Sequence, residues 1–197
     1  HSKKQEEFNP MDLQDFEAED LYFNAAIDPE IAILLEEASD LYPQPEAETL
    51  LLRAYFLAPE DLNVLVALYR YFYYQHRLPD ALNVAHKAIA VSGKRLHLPE
   101  DWRHLTRLHL GQGVLVSMTL TRFYLMAHKG AGYLEMRLGE LADAVGRLQT
   151  LVDIDSNDRL GAKALLTLAQ EHLYEQQGVA VLRKVAGDSG RSHLNLH

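Results

Sequence analysis

The sequence predicts an all-α fold: about four to five antiparallel helix pairs stacked side by side into an α-solenoid. Three observations carry this expectation. First, small residues recur at matching places. Ala81, Ala85 and Ala88 mark one stripe in DALNVAHKAIAV, and 34 residues earlier Ala47, Leu51 and Ala54 take the same places. Ala144, Leu148 and Leu151 repeat the spacing further on. Second, the apolar residues follow the helical period rather than strict alternation. Third, 48% of the 197 residues are hydrophobic, which marks a folding chain. The physical logic is that small residues let two helices approach to the short end of the 8–10 Å range. One pair cannot bury its apolar face alone, so stacking neighbours supplies the core.

Taken in order, residues 1–27 read as an acidic arm or cap helix. Residues 28–186 read as the repeat domain, with units at about 28–61, 62–95, an irregular 96–124, 125–158 and 159–186. In the irregular unit, LPEDW suits a helix start, and Gly111 and Gly113 are expected to break the helix before VLVSMTLTRFYLM. SGKR at 92–95 reads as a helix stop, its cations suited to the C-terminal dipole. EQQGVAVLRKV reads as a capping unit, and 187–197 as a flexible tail.

These stripes resemble the tetratricopeptide repeat family. Its 34-residue helix–turn–helix carries Ala-x₃-Phe near the start of the second helix and Pro at the repeat end. Ala47-x₃-Leu51 with Pro59 matches it, as do Ala81-x₃-Ala85 and Ala144-x₃-Leu148. In the first helices, Leu65, Leu68, Tyr69 and Phe72 fill the places of Trp-x₂-Leu-Gly-x₂-Tyr, with Tyr69 in place of glycine. The resemblance implies a right-handed superhelix whose first helices line a concave groove for a partner peptide. It does not imply the carboxylate clamp of chaperone-binding members: Asn63 is present, but Ala32 and Glu36 stand where Lys and Asn would be.

Charge is unevenly spread. The net charge is −9, but residues 1–48 hold 14 Asp/Glu against Lys3 and Lys4, whereas residues 49–197 hold 14 acidic and 17 basic residues. An acidic arm therefore precedes a mildly basic body, a pattern that speaks to partners rather than to fold. Overall acidity without a basic stripe argues against nucleic acid. No apolar run reaches the roughly 18–20 residues a bilayer span needs. There is no Cys, so disulfide and thiolate chemistry are out. The polar start HSKKQEEF is not a signal peptide, and a cytoplasmic location is expected.

Catalytic motifs are not expected to hold. Gly187-Asp188-Ser189-Gly190 matches the tetrapeptide around a trypsin-like nucleophile, but that fold needs strands and an upstream His and Asp. Ser92-Gly93-Lys94-Arg95 lacks both the first Gly and the Ser/Thr of a phosphate loop. Ten histidines include no His-Glu-x₂-His, and neither a metal nor another cofactor is expected. The enzyme alternative would show itself as a cluster of His104, His109 and Glu135.

The stretch YRYFYY at 69–74 cannot bury all its rings on one side, because helical side chains are about 100° apart. Tyr69 and Phe72 are expected in the core. Asn63, Arg70, Tyr73 and Tyr74 are expected in the groove, with Lys129, Tyr133 and Arg137 on the equivalent face further on. Aromatic residues beside Arg are favoured at binding hot spots. The expected function is a non-catalytic adaptor, assembly factor or chaperone that binds a protein or peptide, an acidic one among the candidates. A secretion-type chaperone or self-associating subunit is the alternative. The arm, with Met11, Leu13, Phe16, Leu21 and Phe23 among its acids, is expected to dock on the groove in cis or in a second copy.

Overall fold

In a computed structural model, residues 27–192 are described, with side chains through residue 188. Among them the chain forms eight α-helices, one short 3₁₀ turn and no strand. The all-α expectation is borne out. The helices are α1 (Pro29–Leu41), α2 (Pro45–Leu57), α3 (Leu62–Tyr74), α4 (Leu78–Leu96), α5 (Arg107–Val116), α6 (Met118–Arg137), α7 (Leu141–Ile154) and α8 (Ala162–Ser192), with the 3₁₀ turn at Trp102–His104.

Three hairpins, α1–α2, α3–α4 and α6–α7, pack in chain order, and α8 closes on α7. The second helix of one hairpin lies against the first helix of the next: α2 on α3, α4 on α6, α7 on α8. The first helices also meet, α1 with α3 and α6 with α8. The small-residue stripes sit where these helices approach. Ala47, Ala54, Ala81, Ala85, Ala88 and Ala144 are all fully buried. A Cβ on Gly132 would stand 2.9 Å from a Leu148 methyl, so α6 and α7 are as close as a missing side chain allows.

Helix ends follow local chemistry. Asp28 and Asp61 cap α1 and α3 by accepting from the N–H of Glu30 and from those of Asn63 and Val64. Pro sits in the first turn of α1, α2 and α4. α4 stops at His97, in the left-handed region with φ 56°, and Lys94 and Arg95 occupy its last turn.

Several expectations differ from the structure. LPEDW does not start an α-helix: Asp101 caps the single 3₁₀ turn. Gly111 and Gly113 do not break the helix, because α5 runs through both. The break falls at Ser117, whose extended backbone and side-chain bond to the Leu120 N–H start α6 afresh. Region 159–186 is not a helix pair. α8 is one helix that continues through Gly187, because EQQGVAVLRKV offers neither a cap nor a turn dipeptide. The hairpins therefore number three among the described residues, not four to five. The expected arm lies outside the described residues except for Ile27. No described helix is long and apolar enough to cross a membrane.

Candidate functional site

The aromatic helix divides along its length. Tyr69 is fully buried, and Tyr71 and Phe72 are buried beside it. Tyr71 meets Tyr42 edge-on at 6.1 Å, and the Arg77 guanidinium lies 4.6 Å over the Phe72 ring. Arg77 also ties three helices together, donating to Glu48 of α2 at 2.6 Å and Asp80 of α4 at 2.9 Å. Tyr73 is half-buried and Tyr74 is 53% exposed.

Tyr73 reaches the next hairpin. Its ring stacks on Tyr69 at 6.1 Å and meets Tyr133 of α6 at 6.2 Å. Tyr74 stands edge-on to Tyr73 at 5.7 Å. Arg137, one turn beyond Tyr133, donates to its hydroxyl at 2.8 Å. Two first helices thus share an aromatic ridge, with Tyr74 and Arg137 exposed at its edge. Asn63 and Arg70 are half-buried. Lys129 corrects the expectation of an open groove place: it is only 2% exposed, its amine 3.7 Å from where a Gly161 Cβ would be. The long α6 is covered by α4, α7 and α8 there, so its stem is enclosed.

A second feature was not legible in the sequence. A cleft of about 410 Å³ lies between α4, the 99–103 loop and α7, lined by His86, Ile89, Trp102, Arg103 and Arg147 with Glu100 and Asp101. Trp102 lies on Gly146, where even a Cβ would clash at 2.2 Å. Arg103 stacks on Trp102 at 4.4 Å and pairs with Asp101 and Asp143.

Beneath the cleft runs a buried polar chain. Arg147 Nε donates to Glu135 Oε1 at 2.5 Å, and Nη1 donates to His128 Nδ1 at 2.8 Å. A guanidinium only donates, so His128 Nδ1 accepts and its proton sits on Nε2. That Nε2–H is buried without a hydrogen-bond partner among the described residues. The imidazole packs edge-on against Tyr124 at 4.7 Å. Burial first, then Arg147 and His86, holds its pKa well below the ordinary histidine range. Burial raises the Glu135 carboxyl, against the opposing pull of Arg147. Burial likewise raises the Tyr124 phenol, which donates to the Pro99 carbonyl.

The charges here are met from within the protein. Glu135, Glu140 and Asp143 bring carboxylate oxygens within 4.8 Å of one another, but guanidinium groups already hold Glu135 and Asp143. His104 and His109 do not join Glu135. His109 Nδ1 accepts from the Thr106 N–H in the capping box of α5, and His104 is exposed in the 3₁₀ turn. The enzyme signature named from sequence is therefore split among three local structures.

The neutral His128 makes stability pH-dependent. Its folded pKa is depressed, so below about 6.5 the unfolded chain takes up a proton that the folded one refuses. Stability is present above that value and lost as pH falls from it toward the folded pKa. The raised Glu135 acts in the opposite sense, relieving the fold as pH falls through its own folded pKa. Moving from pH 7.5 to 5.5 is expected to cost on the order of 1 kcal/mol through His128. Urea midpoints at the two pH values check this, and His128→Gln should flatten the difference.

The chain is 44% identical over 165 residues to an "Uncharacterized 19.8 kDa protein in nifW 5'region" of Azotobacter chroococcum mcd 1. The alignment covers 84% of this chain and 92% of that one. This chain belongs to the family of that protein. No family model matches it, and no solved structure matches it. A relation spanning 84% of the chain extends well beyond any one hairpin.

Proposed function

We propose that the chain is a non-catalytic interaction module, an adaptor, assembly factor or chaperone, folded as a tetratricopeptide-type right-handed superhelix. It holds a peptide or protein segment along the ridge formed by its first helices. The contact of Tyr73 with Tyr133 carries this reading, since it joins two successive first helices into one aromatic surface. Exposed Tyr74 and Arg137 flank that surface, and Arg70 lies one turn back on α3. Tyr rings supply contact area at low entropic cost, and Tyr and Arg are both enriched in hot spots. The paired charges of the Trp102 cleft favour a structural role for that second feature over a catalytic one.

The relative's name places its gene in the nifW 5′ region, which makes the nifW product a first defined bait. The test compares wild type with Tyr74→Ala/Arg137→Glu, both at exposed positions, in binding to that bait and in capture from host lysate. A partner whose affinity falls about 30-fold or more in the double variant, with helical content unchanged, supports the reading. Partners retained at full affinity overturn it.

A further inference from the structure

Helix α5 turns its apolar residues outward. Leu108 is 71% exposed and Leu115 88%, and Val116 and Met118 continue the surface at 58% and 68%. Leu108 and Leu115 are seven residues apart and share a face. Of the residues of α5, only Gly113 is buried. A contiguous exposed apolar surface is uncommon on a monomer and marks something that covers it.

Charge narrows what the cover is. From Trp102 to Leu134 the sequence contains no Asp or Glu, while Arg103, Arg107 and Arg122 fall there and are exposed. Asp101, just before this region, pairs with Arg103, and the acids that meet it from α7 are engaged too. Asp143 pairs with Arg103, and Asp153 accepts from Gln149 while its carbonyl accepts from Arg107. The fitting ligand is therefore an acidic segment with apolar residues at intervals.

The chain carries such a segment itself. Residues 1–26, outside the described structure, hold seven Asp/Glu against Lys3 and Lys4, with Met11, Leu13, Phe16, Leu21 and Phe23 between the acids. The reach is sufficient. α1 touches α3, α3 touches α4 and α4 touches α5, three steps that amount to roughly 30 Å at helix spacing. The 11 residues from Glu17 to Ile27 can extend to about 36 Å. The aromatic ridge is the poorer seat, since its rings already contact one another.

We propose that the segment from Met11 to Glu17 docks in cis on the exposed apolar face of α5, with its carboxylates toward Arg107 and Arg122. The arm is then an intramolecular cover for α5 and leaves the Tyr73–Tyr133 ridge open.

The test places the photo-crosslinking residue p-benzoylphenylalanine at Leu115 of the full chain, a position too exposed to disturb folding. Mixed unlabelled and 15N-labelled copies separate intramolecular from intermolecular products. Cross-links to residues 11–17 of the same copy are expected, and Leu13→Asp/Phe16→Asp should reduce them about tenfold. Cross-links into another copy, cross-links to any other segment, or no protein product overturn the proposal. The same residue at Tyr74 is the control: capture of the arm there instead assigns it to the ridge and also overturns it. A face that serves a membrane or a foreign protein yields no intramolecular product, and the proposal falls.

Discussion

Arg147→Met is expected to destabilise the protein by about 3–5 kcal/mol, the range for breaking one side of a buried ion pair. The Glu135 side chain is 3% exposed and that of Arg147 9%, so water cannot replace the lost partner. The variant strands the Glu135 carboxylate in a site that already disfavours its charge. It also removes the donor to His128 Nδ1, leaving both ring nitrogens of a buried imidazole without a partner among the described residues. The pair itself is a different quantity. Glu135→Leu/Arg147→Met removes both charges and should recover much of the loss, because buried pairs are often neutral against apolar replacements. Guanidinium denaturation of the two singles and the double at pH 7.5 gives the cycle. A single-variant loss below about 1 kcal/mol would mean that the chain from His128 to Glu135 is solvated rather than buried.

Tyr69→Ala is expected to cost about 3–5 kcal/mol, as for other large aromatic truncations in a packed core. Tyr69 is fully buried, and Tyr73 stacks on it. Truncation opens a cavity and removes the support that directs Tyr73 toward Tyr133. Tyr74→Ala, one helical turn and one residue further on at 53% exposure, is expected to change stability by no more than about 0.5 kcal/mol. Urea midpoints of the two variants separate the core end of the aromatic helix from its exposed end. Equal losses would mean that the whole YRYFYY stretch is core. Tyr69→Phe, which keeps the ring and its stacking on Tyr73, should lose less than Tyr69→Ala.

Much of the fold could be read from residue type and spacing. The stripes Ala47–Leu51–Ala54, Ala81–Ala85–Ala88 and Ala144–Leu148–Leu151 are all buried. A small residue repeated at helical spacing has few roles other than close helix packing. Helix starts were less legible: Pro99 followed by acids read as the start of a helix, but Asp101 caps only a 3₁₀ turn. The irregular unit 96–124 was legible as irregular, but its internal structure was not. Nothing local distinguishes a glycine that ends a helix from Gly113, which sits within one because Thr121 crowds the place a side chain would take.

The aromatic ridge was half legible. Placement of Tyr73, Tyr133 and Arg137 on equivalent helix faces followed from the repeat register. Lys129 did not follow it, because burial there depends on three neighbouring helices rather than on α6. The polar chain of His128, Arg147 and Glu135 left no mark in the sequence: its members come from two helices and sit 7 to 19 positions apart. No short motif spans such distances.

Legible in the chain alone were the all-α class, the three small-residue seams, the acidic arm before a basic body, and the inward turn of Tyr69 and Phe72, though not that of Tyr71. These depend on period, side-chain volume and charge count, which are properties of the chain alone. Only the tertiary structure decided that α5 is an outward-facing excursion and that α8 is a single long helix. It alone placed Tyr73 against Tyr133 and a neutral histidine against a buried guanidinium. Each of these depends on which surfaces remain after neighbours have packed, a property that no single segment carries.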